Sequence, residues 1–476
     1  MPTGHCRARA VGAGRRARYG QKDFNEVNTV RISVIGEQFA ARVAPRMVVL
    51  VALVLTASSA CAINGFFLPG YGPKSLAVAG TGVALAQDRL AAAINPAALA
   101  LVEPGYDINV TFLHPQREGS LDCTGLGQCD QPVADASRRE FFPVPAFGYS
   151  HRWDERTTLG VAMYANGGLN TTYDKAFYDE VAQRIAGRHP GDSGFPTRGK
   201  IGVDFAQFIV ALSAAYRVNE HWILGIAPLI ILQKFSTRGL EGFAGLSADP
   251  TSLTGRGADY EFGGGVRVGA IYQLLPEVRI GAQYSSPLFV HSYTKYHGLF
   301  VNGGELNSPP HYTVGFAWSA TPALTVAFDY QRILFASVAT IGNPGPTAAE
   351  LTGTIAPSRL LGGKNGIGFG WNDLSVYKLG VIYKCNDRVT LRTGWNHNSG
   401  VVADSQALLS PLVPAPMQDD FTIGASYRLA GHGEISHAYM HAFSATTKND
   451  RTAYFGVPVQ ATAAADGLNL GFSRDF

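Results

Sequence analysis

From residue 105 onward, large apolar residues alternate with small or polar ones in runs of about ten residues, the period-2 pattern of strands whose two faces meet different surroundings. "HYTVGFAWSA" puts Tyr312, Val314, Phe316 and Trp318 on one face, and after "TP" the run "ALTVAFDYQR" does the same with Leu324, Val326, Phe328 and Tyr330. Two such runs across a tight polar link predict a hairpin. The construction recurs around "YRVNEHW", "YQLLPEV", "YKCNDRV" and "YRLAGHG", each a short turn with an aromatic residue just before it. Tyr216, Tyr272, Trp318, Tyr383 and Tyr427 therefore occupy equivalent positions. An amphipathic ring is most stable where hydrocarbon meets water, so one ring per short turn reads as an interfacial girdle.

Long Gly-, Pro- and Asn-rich connections alternate with the short turns, near residues 114–142, 167–199, 236–257, 286–310, 332–370, 398–417 and 444–466. The pattern predicts an all-β chain: a transmembrane antiparallel β-barrel of about fourteen strands over residues 106–476, an even count with both ends on the short-turn side. The last run, with Leu468, Leu470, Phe472, Arg474 and Phe476 on one parity, is expected to close the barrel by pairing with the first strand. The terminal Phe476 would present the chain to the barrel assembly machinery of an outer membrane.

If the girdle marks the lipid face, Glu261, Arg267, Arg279, Asp329, Arg388 and Arg392 face a polar lumen. One sector differs. In "KIGVDFAQFIVALSAAYRVNEHWILGIAPLIIL" both parities are apolar, so Ile201, Val203, Phe205, Ile209, Ile223, Leu229 and Ile231 also point inward. A greased inner wall suits a conduit for an apolar molecule, which gains about 25 cal/mol per Å² on leaving water. It equally suits packing against a plug, and the two readings are compatible. Residues 63–105 fit such a plug, being compact, rich in small residues and too apolar for a linker. Within them Asn95 followed by Pro96 reads as a helix cap with Pro at the first helical position.

Ahead of the plug, "MVVLVALVL" (47–55) follows Arg42 and Arg46 and precedes "TASSACA", where Ala60 and Ala62 frame an A-x-A cleavage point. The run is too short to span a bilayer as a helix, which takes about 20 residues, and reads as a secretory signal over 47–62. Residues 1–46, with Arg7, Arg9, Arg15, Arg16, Arg18 and Lys22, read as a leader extension or an over-long start. Composition agrees with a membrane barrel. Only 16% of the 476 residues are charged, against about 25% in ordinary soluble domains. The formal net charge of +3 favours no nucleic-acid partner. Cys123 and Cys129 in "LDCTGLGQCD" are placed to close a small disulfide in an oxidising compartment, leaving Cys385 unpaired at a turn.

An exported chain that opens with "NGFFLPGYG", continues through "AVAGTGVALAQD" to "NPAAL" and resumes at "LGVAMYANGGLNTTYD" resembles the FadL family of outer-membrane transporters for long-chain fatty acids and aromatic hydrocarbons. The resemblance implies a fourteen-stranded barrel in a Gram-negative outer membrane, with an N-terminal hatch in the lumen. It implies that Asn95, Pro96 and Ala97 form the hatch motif and that Gly65, Phe66, Phe67 and Leu68 form a ligand-responsive N-terminus. Release is then lateral, beside a kinked third strand of about Thr157 to Asn166 that runs into Gly167 and Gly168. The external segment "YDKAFYDEVAQRIAG" has helical spacing, with Phe177, Val181 and Ile185 on one stripe, and resembles the family's first greasy groove; a loop helix packed on the rim gives the same pattern. Such transport is passive and uses no cofactor, its partners being a hydrophobic small molecule and outer-membrane lipid.

Sites of other kinds find little support. "GYGPKS" lacks the Lys-Ser/Thr run of a phosphate loop and "GIGFGW" lacks dinucleotide spacing. His437 and His441, four apart on a strand, stand about 13 Å from one another and cannot share a metal. No catalytic residues are assigned. A general diffusion porin, or a barrel-borne lipase or adhesin, remains as the alternative.

Overall fold

The structure, a computed structural model, describes residues 63–127, 129–189, 191–193 and 199–476. The leader expected over 1–46 and the signal over 47–62 lie outside the described residues. Fourteen antiparallel strands form the wall: β1 Gly105–Leu121, β2 Phe142–Arg152, β3 Thr157–Asn170, β4 Gly202–Arg217, β5 Trp222–Arg238, β6 Asp259–Leu275, β7 Val278–Ser285, β8 His311–Ser319, β9 Leu324–Ile333, β10 Leu374–Lys384, β11 Val389–Asn398, β12 Asp419–Arg428, β13 Gly433–Asn449 and β14 Val459–Asp475. Each pairs with its neighbours in sequence, and β14 closes on β1 from Gly105↔Asp475 to Leu121↔Val459. Closure leaves no open strand edge, which is the condition for a sheet to stand in hydrocarbon.

The alternation dictates which side chains go where. Tyr312, Val314, Phe316 and Trp318 are exposed on the outer wall, while Thr313 between them is buried. Tyr216, Trp318, Tyr383 and Tyr427 stand exposed beside the short turns, and Tyr272 packs half-buried on Trp222 at 4.7 Å between ring centroids.

Three expectations are corrected. The long connection expected over 444–466 shrinks to residues 450–458, because β13 and β14 stay paired out to Asn449↔Val459. There Ala461, Ala463 and Ala465 continue the inward row while Thr446 and Thr462 share a hydroxyl hydrogen bond of 2.9 Å outside. Above the lipid the outward face no longer needs to be greasy, so the strand persists without hydrophobic contrast. For the same reason β1 runs on to Leu121, and the short strand Val133–Ala136 adds to its edge inside the connection expected over 114–142. Arg388 does not face the lumen: it is exposed in the turn between β10 and β11.

Residues 63–104 fill the lumen between these walls and are buried along most of their length. A helical turn at Pro73–Leu76 and two 3-10 helices, Arg89–Ala93 and Pro96–Leu101, make up this hatch. Asp88 caps the first 3-10 helix by accepting from the Leu90 N–H at 3.1 Å, and Asn95 caps the second by accepting from Ala97 at 3.0 Å. The wall grips the hatch from all sides. Lys74 pairs with Glu434 on β13 at 2.7 Å, and Arg89 pairs with Asp107 on β1 and Asp475 on β14. Lys378 on β10 donates to the Pro69 carbonyl at 2.9 Å, and Arg217 on β4 to that of Ala100 at 2.8 Å. Arg392 on β11 donates to Gln87 at 2.6 Å, while Arg267 on β6 donates to the Ala93 carbonyl and to Tyr164. Arg267 and Arg392 are thus committed to the hatch and the wall.

Candidate functional site: an apolar slot above the hatch

Toward the long-loop end the lumen changes character. One continuous cluster of buried side chains there draws Phe235 from β5, Leu240, Phe243 and Leu246 from the loop after it, Phe300 from the loop after β7, and Ile341, Ile367 and Trp371 from the loop after β9. Inside it an apolar cavity is lined by Val203, Phe235, Leu246, Phe300, Leu361 and Phe369, among others. Its lining leaves about 620 Å³ of space between atoms, counting the part open to solvent. The lining is mostly apolar, a slot between packed side chains.

A second apolar cavity lies toward the hatch and shares Val203, Phe235, Phe300 and Phe369 with the first. Its floor is Phe66 of the hatch. Residues Asn64–Phe67 form a tight turn closed by reciprocal backbone hydrogen bonds of 3.2 and 3.1 Å. The turn lifts the Phe66 ring into edge contact with Phe205 at 5.4 Å and Phe335 at 5.1 Å, with Trp371 at 6.1 Å. Edge-to-face rings hold by quadrupole and dispersion forces and bind each other without hydrogen bonds, so a turn of the Phe66 ring alone strands no polar group.

Beside this floor the third strand is bulged. The β3–β4 register shifts between Ala165 and Gly167, leaving Asn166 outside the ladder. The hatch takes up the freed bonding: Leu68 donates to the Asn166 carbonyl at 3.1 Å, and Gly168 donates to that of Phe66 at 3.0 Å. Only glycine fits at 167, where φ is +155° and a Cβ would fall 1.6 Å from the Phe66 carbonyl oxygen. Asn166 also accepts from the Tyr71 hydroxyl at 2.9 Å and donates to Gln207 at 2.8 Å.

The residues singled out in the sequence fall in three places. Val203 and Phe205 line the cavities, and Ile201 is buried in the cluster around them. Ile209, Ile223, Leu229 and Ile231 lie lower and pack on the hatch helices with Leu90, Ala97 and Leu99. The structure thus divides the apolar sector, part conduit and part bed for the plug. The loop helix Phe177–Ile185 forms, with Phe177 and Val181 buried, but none of Phe177, Val181 and Ile185 lines either cavity. They belong to or pack against the surrounding buried cluster, and Tyr178 beside them meets Phe243 and Tyr454 edge-on at 5.1 and 5.7 Å. In the hatch motif, Asn95 also donates to the Val83 carbonyl at 2.7 Å, locking the corner that Pro96 starts. Cys123 and Cys129 form a disulfide and Cys385 is a free exposed thiol.

Phe235, Phe300, Phe369 and Trp371 were missed by sequence reasoning. The available signal was large rings in segments otherwise made of Gly and Pro, as in "GIGFGW", which supplies Ile367, Phe369 and Trp371 to the cluster. At the rim, burial together with Glu241 nearby raises the Asp179 carboxyl to about 6. Among the described residues no group of His, Cys, Asp and Glu is arranged to hold a metal ion.

A closed, girdled barrel with a gripped plug and an apolar slot above it defines an outer-membrane transport barrel. The chain belongs to the family described as outer membrane protein transport protein (OMPP1/FadL/TodX), whose model matches residues 53–476. Among solved structures, the P. putida toluene transporter TodX is similar with a TM-score of 0.61 at 16% identity, covering 86% of this chain and 99% of that one. A Pseudomonas aeruginosa FadL homologue gives 0.62 at 14% identity, covering 87% and 100%. The Ralstonia pickettii toluene transporter TbuX gives 0.56 at 18%, covering 86% and 99%. At such identities the likeness speaks for the fold alone. No curated protein sequence matches the chain.

Proposed function

We propose that this barrel carries hydrophobic small molecules, long-chain fatty acids or aromatic and aliphatic hydrocarbons, passively across the outer membrane. The long loops face outward, and the short turns, Gly105 and Phe476 face the periplasm, where the terminal ring serves recognition by the barrel assembly machinery. The ligand enters between the loops, occupies the slot, displaces Phe66, and leaves sideways into the bilayer at Asn166, Gly167 and Gly168. The observation that carries this reading is the pair of apolar cavities that share Val203, Phe235, Phe300 and Phe369, the deeper of which ends on the Phe66 ring of the hatch. A porin needs a watered lumen, whereas here the lower lumen is filled by residues 63–104.

The test is uptake of labelled toluene and labelled hexadecanoic acid by cells lacking their own transporter of this family. The wild-type barrel should admit at least one probe. Val203→Trp, which fills the wall common to both cavities, should cut that uptake about tenfold, equivalent to about 1.4 kcal/mol, with the heat-resistant folded form retained. Uptake indifferent to this substitution, or a large steady ion current through the wild-type protein in planar bilayers, would sink the reading.

A further inference from the structure

The outward face of β5 changes character at one level. From Trp222 through Leu224, Ile226 and Ile230 to Leu232 its outward residues are apolar, and the next three on that face are Lys234, Ser236 and Arg238. The steps from Trp222 to Leu232 rise about 25 Å on a tilted strand, the height of the apolar band of an outer-membrane barrel. Lys234, Ser236 and Arg238 therefore stand where hydrocarbon gives way to headgroups.

A polar groove crosses the wall at this level. It is lined by Arg139 ahead of β2, Asn170 at the end of β3, Asp204 on β4, Ser236 and Arg238 on β5, and the backbone at Gly255 and Gly257. Asn170, Asp204 and Ser236 form one cross-strand row, paired Asn170↔Asp204 and Asp204↔Ser236. Asp204 is the one carboxylate of this lining, and it accepts from Lys234 at 2.8 Å and from Arg139 at 3.3 Å. Arg238 is exposed and makes no ion pair among the described residues. Asn170 is 1% exposed, and neither the oxygen nor the nitrogen of its carboxamide has a hydrogen-bond partner among the described residues. A buried amide is costly to leave unpaired. The groove thus combines surplus positive charge, a guanidinium fork open to an oxyanion, and a buried amide short of a partner.

We infer that this groove binds the phosphorylated headgroup of an outer-leaflet glycolipid of the lipid A type, whose acyl chains lie down the apolar wall of Leu212, Ile230 and Leu232. Arg238 takes a phosphate with its planar fork, Asn170 and Ser236 donate to it, and Arg139 adds charge. Basic pockets beside an apolar span are a recurring form of lipid-headgroup recognition. A soluble oxyanion would meet the same arginines but would gain nothing from the wall beneath them, whereas a phosphorylated amphiphile engages both. The site lies on the outer wall, apart from the slot and the hatch. Only the choice of leaflet rests on the transporter reading, through the outward direction of the long loops.

The purified barrel in detergent, titrated with lipid A and followed by native mass spectrometry, should retain the lipid, and removing the lipid's phosphates should weaken retention about tenfold. Arg238→Gln should weaken it about tenfold and Asn170→Leu several-fold. Arg332→Gln, which removes an outward cation paired with Asp373 beside β9, should leave it nearly unchanged. Equal weakening by Arg238→Gln and Arg332→Gln would mean diffuse attraction and would overturn the site. Equal retention of the dephosphorylated lipid, stronger retention of phosphatidylglycerol, or full displacement by millimolar inorganic phosphate would overturn it as well. Hydrogen exchange on the wild-type barrel needs no variant: lipid A should slow the amides of residues 255–257 several-fold, and its dephosphorylated form should not. Unchanged exchange there overturns the inference even if a variant fails to fold. None of these measurements involves transport, so a barrel that carries neither toluene nor hexadecanoic acid leaves them equally decisive.

Discussion

The lower and upper halves of the lumen are built from the same strands and solve opposite problems. Below, small hatch residues such as Ala77, Val78, Ala97 and Ala98 lie against the wall at near-backbone distance, held by ion pairs and by carbonyls that accept from Lys378, Arg217 and Arg267. Above, Phe235, Phe300, Phe369 and Trp371 meet with almost no polar bonding between them and leave interstitial space. Directional bonds and close contact make a seat that resists displacement. Rings and aliphatic chains make a filling that can part and close again, because dispersion contacts are individually small. Phe66 is where the two regimes meet: its backbone belongs to the hatch and its ring to the slot.

The sharpest way to break this comparison is to spoil the seat sterically. At Gly269 on β6 a Cβ would lie 1.9 Å from the Asn95 side-chain oxygen. Gly269→Val therefore forces Asn95 out of its cap, at a cost beyond about 3 kcal/mol for overpacking against a gripped corner. The expected result is a barrel that still runs as a heat-resistant band but passes a steady ion current, with the hatch open to proteolysis. A valine accommodated silently would mean that the lower lumen is as compliant as the upper one.

Removing directional bonds without adding bulk should do less. Asp329 on β9 accepts from the amides of Gly82 at 2.7 Å and Val83 at 3.0 Å. Asp329→Leu leaves two buried N–H groups without a partner and should destabilise hatch docking by about 2 kcal/mol. Hydrogen exchange at Gly82 and Val83 should accelerate by about thirtyfold, the equivalent of that energy, while amides on the strands facing lipid stay protected. Acceleration spread evenly over the barrel would show that the hatch is part of the wall's own cooperative unit.

The same contrast decides what could be read beforehand. Lipid outside and lumen inside impose a two-fold rhythm, so the barrel, its hairpins and its girdle rings stood out in the sequence. The rhythm fades above the lipid, where outward Thr446 and Thr462 need not be greasy and inward Ala461 is small, so the upper strands read as loop. It showed that Ile209, Ile223, Leu229 and Ile231 point inward, yet it carries no information on whether an inward isoleucine meets a guest or a plug, since both surroundings are apolar. The Asn95–Pro96 corner was legible because capping is local chemistry. Phe300, Phe369 and Trp371 were not, because they sit on irregular loops and are brought together only by tertiary packing.

The smallest expected effect lies at the rim of the upper half, where compliance has an electrostatic side. Asp179 sits on the loop helix Phe177–Ile185, and burial together with Glu241 lifts its carboxyl to about 6. A carboxyl whose folded pKa lies above its unfolded value binds protons more readily in the folded state. Stability at this seam is therefore highest at low pH and is lost as pH rises from about 4 to about 6, after which it is flat. Because the group is partly open to solvent, the effect should be about 1 kcal/mol. The segment Glu241–Leu246, which brings Phe243 and Leu246 to the slot, should then exchange hydrogen several-fold more slowly at pH 5 than at pH 7, after correction for intrinsic rates. Asp179→Asn should hold that segment at its low-pH protection throughout. If the variant keeps the wild-type pH dependence, a titrating group other than Asp179 governs the seam; if both proteins are flat, packing alone holds it and the rim belongs with the non-polar slot below it.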